Sequence, residues 1–507
     1  MSRRIERVLV ANRGEIAVRI FRSLAEQGIE SIAVYSDADA DAVHRNVADR
    51  SIGLGGSTAA ESYLQIEKII AAANEANACA IHPGYGFLSE NAAFSRAVED
   101  AGLVFIGPSG DAMERLGSKQ AARIVADRAG VPTVPGCEDQ GDDAALLAKA
   151  REIGFPVLVK ASAGGGGKGM RLVDAEADFL AALKAGRREA QAAFGDSTML
   201  CEKRVFPARH VEIQVLADAH GNAVSLHERE CSVQRRHQKV LEEAPSPCVS
   251  PELRERMGEA SVRLVREAGY RNAGTVEYLV DEDGSFYFLE VNTRLQVEHP
   301  VTELVTGLDL VALQVRIAEG ASLDELLAGR DLTPRGHALE ARIYAEVPEQ
   351  GFLPAAGRLQ HVVEPVGPGV RVDSGVATGS EVSVHFDPML AKLIVHAPSR
   401  EAACRRMAHA LRESVYLGIS TNVDFLCRVV EDPDFVAGRL RTDFLDLKPE
   451  LASGPTDPPP ELAYVAAAIA RMVDAVGGGA TSTGGGPVAR PSAFQSIGGL
   501  RVWGGES

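Results

Sequence analysis

The sequence predicts a protein of α/β and α+β domains followed by a flexible tail, and three observations support this fold class. Strand-like and helical segments alternate over the first hundred residues, which is typical of βαβ units with a parallel sheet. Paired runs of alternating apolar and polar residues follow, and these predict antiparallel hairpins. The 507 residues also suffice for about three domains of ordinary size.

Composition and charge exclude several classes of protein. Hydrophobic residues make up 45% and charged residues 24%, which is ordinary for a soluble globular protein. The net charge of −17 disfavours nucleic acid or an anionic membrane surface as a partner. The longest apolar stretch, 462–470, is about half of a membrane span. Seven scattered cysteines favour neither a disulfide framework nor a zinc site, so we expect a cytoplasmic protein without a targeting segment.

The first predicted domain, residues 1–115, is a parallel βαβ domain. Its predicted strands are 8–11, 31–35, 78–81 and 103–106, and its predicted helices are 14–27, 61–74 and 90–100. Ligands of parallel sheets bind at the carboxyl ends of the strands. The segments 12–14 and 82–86 are therefore candidate binding loops, although Gly14 alone is a weak nucleotide signal and is more typical of a plain turn.

The second predicted domain, residues 116–333, begins with a helix at 119–129 and a hinge-like segment at 131–136. A small α+β lid, about 136–205, is predicted from strands 157–161, 170–173 and 198–202 and a helix at 175–193. Two hairpins follow, one pairing 210–217 with 223–228 and the other pairing 274–280 with 286–292. This alternation indicates an antiparallel sheet.

The third predicted domain, residues 334–447, is a mixed α+β domain. We expect strands at 339–345, 381–385 and 392–396 and a helix at 400–413. Residues 448–507 are rich in proline and glycine and predict a linker and tail around one short helix, 461–475. The alternative is that this segment is the start of a further domain in a longer protein.

A glycine run at 162–170 is the first candidate binding motif. Glycines let the backbone approach a phosphate closely, and Lys160 on the preceding strand would add a positive charge. A strand follows the run where a dinucleotide fingerprint requires a helix, and Gly169 follows Lys168 where a P-loop requires Ser or Thr. The pattern favours a mobile flap over a nucleotide. A merely flexible hairpin is the alternative.

The segment 290–300 is the second motif and the richest. Alternation along an extended strand would place residues 290, 292, 294, 296 and 298 on one face. A four-residue loop at 281–284 would put Glu277 one diagonal step from Glu290, on that same face. Two facing carboxylates with the Asn292 amide favour Mg²⁺. A solvated outer face of a sheet is the alternative.

The segment 232–240 is the third motif. Arg235, Arg236, Lys239 and His237 lie within five residues, which favours an anion pocket. Taken alone, such a run is more often a solvated surface. Its proximity to a phosphate flap and a metal site in the same chain favours the pocket.

Four strings of the sequence resemble the biotin carboxylase family of the ATP-grasp superfamily. They are HPGYGFLSEN at 82–91, GGGGKGM at 164–170, HERECSVQRRHQKV at 227–240 and EVNTRLQVEHPVTE at 290–303. The strings occur in the family's order, and the resemblance covers about residues 1–447. It implies an ATP-grasp domain at 116–333 and ATP- and Mg²⁺-dependent carboxylation of biotin by bicarbonate through carboxyphosphate.

The resemblance also implies roles for individual residues. Nucleotide contacts are expected from Lys119, Lys160, Gly166, Gly167, Met170, Glu202, Lys203, Val205, His210, Gln234, His237 and Leu279. Mg²⁺ or Mn²⁺ ligands are expected from Glu277, Glu290 and Asn292. Bicarbonate and biotin contacts are expected from Lys239, Arg294, Gln296, Val297, Arg342 and Tyr85. Glu298 is the expected base, assisted by Arg294 and Lys239, and Arg342 is expected to stabilise the biotin enolate.

Partners are implied as well. No Met-Lys-Met biotin acceptor occurs in the sequence, so biotin is expected on a biotin carboxyl carrier protein or domain, beside a carboxyltransferase subunit. The chain would be a subunit or the N-terminal part of an acyl-CoA carboxylase alpha chain, as a homodimer or in a larger complex. Another ATP-grasp carboxylate ligase and a non-catalytic nucleotide-binding scaffold are the alternatives. The final carboxyl acceptor is not predicted.

Overall fold

A computed structural model describes residues 4–454, apart from 140, 163–169 and 237, and six positions between 461 and 472. The chain divides into two units, residues 1–453 and 454–507. In the second unit the described positions from 461 to 472 are helical, and the predicted tail also contains a short 3-10 helix at Pro449–Ala452. The other residues of the predicted tail after 454 lie outside the described residues. None of the helices in the described part is both long and apolar enough to cross a membrane.

The N-terminal region forms a five-stranded parallel sheet in the order β3-β2-β1-β4-β5. Val8, Leu9 and Val10 of the central strand are fully buried. The strands are β1 (Arg7–Val10), β2 (Glu30–Tyr35), β3 (Arg50–Gly53), β4 (Ala80–His82) and β5 (Val104–Phe105). The helices are α1 (Gly14–Glu26), α2 (Val43–Val47), α3 (Ile66–Glu75), α4 (Ala92–Asp100) and α5 (Gly110–Gly117).

A small antiparallel sheet follows, in the order β6-β9-β7-β8. It is preceded by α6 (Lys119–Arg128), whose N-terminus is capped by the side chain of Ser118. The strands are β6 (Gly136–Glu138), β7 (Val157–Ala161), β8 (Arg171–Val173) and β9 (Met199–Lys203). The helices α7 (Asp143–Ile153) and α8 (Phe179–Phe194) pack against it.

The largest element is an eight-stranded antiparallel sheet in the order β14-β13-β10-β11-β12-β15-β22-β20. Because β12 pairs with β15, the sheet is continuous across position 334. Its strands are β10 (Arg209–Ala217), β11 (Ala223–Arg235), β12 (Gln238–Ala244), β13 (Asn272–Val280), β14 (Phe286–Asn292), β15 (His337–Tyr344), β20 (Val370–Ser374) and β22 (Met389–Ala397).

Helices and short strands surround this sheet. The helices are α9 (Pro251–Glu267), α10 (His299–Thr306), α11 (Leu310–Ala318), α12 (Leu323–Leu327), α13 (Arg400–Glu413), α14 (Val423–Glu431) and α15 (Pro433–Val436). The short strands are β16 (Glu346–Val347), β17 (Leu353–Pro354), β18 (Gly357–Arg358), β19 (His361–Val363), β21 (Glu381–Val382) and β23 (Val415–Leu417). Among these helices, α9 packs on β10 and β11, and α13 packs on β15 and β22.

The predicted fold class is confirmed, with differences in detail. The parallel N-terminal sheet, both predicted hairpins and the mixed C-terminal region are present. Strand β3 and helix α2 are absent from the sequence prediction. The sequence of β3, Arg-Ser-Ile-Gly, has no apolar run because this edge strand is largely exposed. The glycines of the predicted flap, 164–167, lie outside the described residues.

Candidate active site

A cavity of about 760 Å³ lies between the small sheet and the polar face of the large sheet. It gathers nearly all of the predicted site residues that the structure describes. Its lining includes Lys119, Lys160, Met170, Glu202, Lys203, Val205, His210, Gln234, Lys239, Glu277, Leu279, Glu290, Asn292, Arg294, Gln296, Val297 and Arg342. Glu298 is fully buried directly behind this lining. Gly166, Gly167 and His237 lie outside the described residues.

Strand β10 shows why the large sheet presents a polar face to the cavity. Side chains alternate between the two faces of a strand. Val211, Ile213 and Val215 therefore pack in the apolar core with α9, whereas His210 and Glu212 point to the opposite face. Both faces of this strand are buried, so the polar side chains need partners.

Lys239 is the centre of the buried network. Its Nζ donates to three carboxylates, at 2.5 Å from Glu212, 2.8 Å from Glu277 and 2.6 Å from Glu298. Burial alone would lower the pKa of this ammonium, but the three carboxylates outweigh burial and raise that pKa well above its ordinary value. Lys239 is therefore a fixed positive charge at the floor of the cavity.

Glu298 lies at the N-cap position of α10, between two cations. Its Oε1 accepts from Lys239, and its Oε2 lies 3.0 Å from a guanidinium nitrogen of Arg342. Burial would raise the pKa of Glu298, but these two charges outweigh it and hold the pKa well below the ordinary value. The carboxylate is therefore ionised and able to accept a proton.

Arg229 lies in the interior beside the cluster of Lys239, Glu212 and Glu298 and holds it in place. It is fully buried, and its Nε donates to Glu212 at 2.5 Å. Its other nitrogens donate to Gln214, Thr275 and Thr302. Since Thr302 lies on α10, Arg229 ties the helix that begins after Glu298 to the carboxylate that holds Lys239.

The candidate metal ligands lie on the hairpin of β13 and β14. The predicted diagonal relation between Glu277 and Glu290 is wrong, because the two residues are directly opposite each other. The loop has five residues, and Leu289 forms a β-bulge that shifts the register between Glu277 and Tyr278. The bulge brings the two carboxylates closer than the regular register would.

The electrostatics around Glu277 and Glu290 favour the binding of a cation between them. Burial, followed by the negative charge of Glu277, raises the pKa of Glu290. Glu277 itself accepts from His210 at 2.9 Å and from the Asn292 amide at 2.7 Å. Two opposed carboxylates and a neighbouring amide oxygen are a donor set of the kind that Mg²⁺ prefers.

The predicted single face for residues 290 to 298 is also wrong. Strand β14 ends at Asn292, and residues 293–298 form an irregular segment that leads into α10. Arg294 is held there by Glu90 at 2.9 Å, by Asn292 at 3.0 Å and by Gln296 at 3.1 Å. The side chains still meet in one cavity because the segment curves around its floor.

The end of the cavity beside the small sheet is built differently. Lys160 on β7 forms an ion pair with Glu202 on β9, which also accepts from Arg123 at 3.3 Å. The Lys160 and Glu202 side chains remain partly exposed, at 18% and 13%. One ion pair on a small sheet can open to admit a phosphate more readily than the network around Lys239.

The predicted anion pocket at 232–240 is only partly correct. Gln234, Arg236 and Lys239 line the cavity. Arg235 points away from it, donates to Glu346 at 2.8 Å and lies 4.0 Å from the ring centroid of Phe352. Alternation along β11 sends this arginine to the opposite side from its neighbours.

A second cavity of about 360 Å³ adjoins the first. Arg294, Val297 and Arg342 line both. Tyr85 lines this second cavity, and its hydroxyl donates to the buried Glu15. Tyr85 is therefore separated from the candidate metal ligands and lies beside Arg342.

Sequence reasoning missed three residues of the cluster, namely Glu212, Arg229 and Glu242. Glu242 accepts from Arg342 Nε at 2.6 Å. Glu212 could have been found, because it is two residues from His210 on a predicted strand and therefore shares its face. No local signal distinguishes Arg229 or Glu242, whose partners are distant in sequence.

Comparison with known families covers most of the chain. Residues 4–113 match "Biotin carboxylase, N-terminal domain", and residues 340–447 match "Biotin carboxylase C-terminal domain". Residues 118–326 match "Carbamoyl-phosphate synthase L chain, ATP binding domain".

Individual relatives agree with these matches. The mitochondrial methylcrotonoyl-CoA carboxylase subunit alpha of Dictyostelium discoideum is 48% identical over 90% of this chain, which spans 65% of that relative's length. The biotin carboxylase of Nostoc sp. is 48% identical over 87% of this chain and 99% of its own. The biotin carboxylase domain dimer of Hydrogenobacter thermophilus 2-oxoglutarate carboxylase, solved with MgADP, ADP and bicarbonate, has a TM-score of 0.83 and 42% identity, covering 89% of this chain and 100% of that one.

Proposed function

We propose roles for the residues of this site from the premise that the chain belongs to the biotin carboxylase family. It is an ATP-dependent ligase that carboxylates biotin with bicarbonate. The observation that best supports the roles is the convergence of Lys239, Arg294 and Arg342 around the ionised Glu298, beside a pair of opposed carboxylates. These groups can bind a small anion, deprotonate it and neutralise a phosphate chain.

Glu277, Glu290 and Asn292 would hold Mg²⁺ or Mn²⁺. The metal, when bound, shields the negative charge of the phosphate oxygens from an incoming anion. Glu277 also accepts from Lys239 at 2.8 Å, so this carboxylate would join the metal site to the lysine proposed to bind bicarbonate. Lys119, whose charge acts on Glu290, lies on the phosphate side of this pair.

ATP would lie along the cavity towards the small sheet. Lys160 would release Glu202 and bind phosphate oxygens, since a charge-assisted bond to phosphate replaces the ion pair. The other described nucleotide contacts would come from Met170, Glu202, Lys203, Val205, His210, Gln234 and Leu279, all of which line the cavity. Gly166, Gly167 and His237 complete the set that the family resemblance implies.

Bicarbonate would bind between Lys239 and Arg294, with Gln296 and Val297 beside it. A bound anion adds negative charge next to Glu298 and therefore raises the low pKa of that carboxylate, which makes it a stronger base. Glu298 would remove the bicarbonate proton so that an oxygen attacks the γ-phosphate. Lys239 and Arg294 would offset the charge that develops.

Biotin would enter through the second cavity, beside Tyr85. The product of the first step, carboxyphosphate, releases CO₂ and phosphate, and this phosphate would deprotonate the ureido nitrogen. Arg342 lines both cavities and would stabilise the negative charge on the ureido group. The arginine would thus serve the second half-reaction, while Glu298 serves the first.

The partners extend beyond this chain. Because it spans about two-thirds of the length of its carboxylase-subunit relatives, we propose that it acts within an acyl-CoA carboxylase alpha chain. It would receive biotin from a carrier protein or domain and supply a carboxyltransferase. A homodimer is proposed from the dimeric relative. A cytoplasmic, reducing location is proposed because all seven cysteines are free thiols.

One assay tests the function. ATP hydrolysis by the purified chain should require bicarbonate and should accelerate when free biotin is added. Hydrolysis that proceeds equally without bicarbonate would contradict the proposal. Hydrolysis that requires a different carboxylate would indicate another ligase, and ATP binding without hydrolysis would indicate a scaffold.

A further inference from the structure

Beneath Arg342 lies a pair of carboxyl groups that the proposed reaction does not use. Glu242 on β12 and Glu340 on β15 are directly opposite each other in the antiparallel ladder. Residues in this relation have Cβ atoms about 4.5–5.5 Å apart. Both are buried, at 1% and 0% exposure. Two like charges at this separation, away from water, would repel strongly.

The two carboxyl groups differ in their hydrogen-bond partners. Glu242 Oε1 accepts from Arg342, whereas its Oε2 has no hydrogen-bond partner. Neither oxygen of Glu340 has a hydrogen-bond partner, and among the residues that the structure describes no cation forms an ion pair with it. A buried carboxylate without partners is costly, and such a group ordinarily takes up a proton.

The charged groups around Glu340 also favour a protonated Glu340 beside an ionised Glu242. They are Glu242 on β12, Arg342 on β15, Lys392 on β22 and Glu298 at the start of α10. The charge of Lys392 lowers the pKa of Glu340, but its Nζ donates to the Val297 carbonyl at 2.8 Å and lies 3.4 Å from Glu15, so this charge is shared with other groups. Arg342 is shared by Glu242 and Glu298. Burial raises the pKa of Glu340 well above its ordinary value.

We propose that Glu340 holds a proton in the folded enzyme, so that Glu242 alone carries the negative charge that positions Arg342. The protonated acid has one O–H to donate. The Glu242 Oε2 atom, which has no hydrogen-bond partner, lies on the neighbouring strand β12, opposite Glu340. Glu242 is thus a positioning residue for Arg342. This second part rests on the proposed role of Arg342, whereas the protonation of Glu340 does not.

The first test is thermal unfolding of Glu340→Gln between pH 6 and 8.5. Unfolding exposes Glu340, which then ionises near its ordinary pKa of about 4.3. The wild-type protein therefore loses stability from this group as pH rises, until pH passes the folded pKa, and the glutamine variant lacks this contribution. Burial also raises the pKa of Glu242, to about 7, so Glu242 titrates in both proteins and only the difference between them reports Glu340. We expect the variant to have the higher Tm, with a difference that widens by about 1.5 °C per pH unit.

Glu243→Gln is the matched control for this test. Glu243 is a buried neighbour of Glu242, but it is held by Arg400 at 2.6 Å and 2.9 Å and by His337 at 2.5 Å. Burial would raise its pKa, and these partners lower it below its ordinary value, so it is ionised. Glu243→Gln should lower Tm. A Tm difference between Glu340→Gln and the wild type that does not change with pH would overturn the protonation of Glu340.

Two further measurements complete the experiment. Glu340→Met, which also removes the ionisable group, should show the same widening with pH if the amide of glutamine does not fit. Glu242→Gln should lower biotin carboxylation about 10-fold more than bicarbonate-dependent ATP cleavage, because Arg342 loses its anionic partner. An unchanged ratio of the two activities would overturn the positioning role of Glu242. Absence of bicarbonate-dependent cleavage in the wild type would instead contradict the proposed function.

Discussion

The two ends of the cavity hold their lysines in different ways. Lys239 lies on the eight-stranded sheet and donates to three carboxylates, two of which, Glu212 and Glu298, are fully buried. Lys160 lies on the four-stranded sheet and forms a single ion pair with the partly exposed Glu202. A buried network fixes the geometry that proton transfer requires, whereas a single pair can exchange its partner for a phosphate. We therefore expect the first end to determine rate and the second to determine ATP affinity.

The largest effect is expected from Glu298→Gln. The amide keeps the shape of the side chain but cannot accept the bicarbonate proton, so bicarbonate-dependent turnover should fall about 10²- to 10⁴-fold. ATP affinity should change little, because Glu298 lies behind the cavity wall. Turnover and ATP dissociation constant would be measured on one preparation. An equal loss of both would show that Glu298 is a binding residue.

Arg342→Ala should divide the two half-reactions. Biotin carboxylation should fall about 10²- to 10³-fold, the usual cost of removing a charge-stabilising contact in the transition state. Bicarbonate-dependent ATP cleavage should fall much less, since Lys239 and Arg294 remain.

Arg342 also pairs with Glu242 and Glu298, so a structural role has to be separated from the catalytic one. If Arg342 acts only through these pairs, its loss lowers Tm and both activities in parallel. Parallel loss of both activities with an unchanged Tm would refute the division of the half-reactions.

Lys160→Met should have a smaller effect, on ATP binding rather than on turnover. Loss of one charge-assisted bond to phosphate costs about 1.5–3 kcal/mol, so KM for ATP should rise about 10- to 100-fold. Turnover at saturating ATP should stay within a few-fold of the wild type. A large fall in turnover with unchanged KM would place Lys160 in the chemical step.

The smallest effect is expected from Arg235→Gln, which serves as the control for the basic segment. Arg235 pairs with the buried Glu346 outside the cavity, so its loss should lower stability rather than either activity. Both activities should stay within about two-fold of the wild type. A large loss of bicarbonate-dependent cleavage would mean that Arg235 reaches the site.

Local sequence patterns predicted much of the fold because many of its helices and strands follow from the spacing of apolar and polar residues and from turn residues. The β10–β11 hairpin follows from alternation around the Gly221-Asn222 turn, and α13 has the predicted bounds. The pairing of β12 with β15 could not be predicted, because it joins segments that are distant in sequence. The Leu289 bulge also left no signal, since the residues of β14 read as a regular strand.

The residues of the candidate site likewise include some that the sequence could single out and some that it could not. Residues in compact motifs, such as Lys239 and Glu298, could be singled out because their chemistry is unusual at that spacing. Glu212 could have been inferred from its position two residues after His210, whereas Glu242 could not be assigned, because a single glutamate in a strand is ordinary until its partners are known. The roles of the motif residues stay predictions, whereas membership of the biotin carboxylase family is confirmed by the family matches and relatives.

The most direct test of the difference between the two ends is a side-by-side measurement on Glu298→Gln and Lys160→Met. The ATP dissociation constant and the bicarbonate-dependent turnover number would be determined for both variants and the wild type. We expect a crossed pattern, in which Glu298→Gln loses turnover at nearly normal affinity and Lys160→Met loses affinity at nearly normal turnover. Loss of both quantities to the same extent in both variants would contradict the separation of rate from ATP affinity.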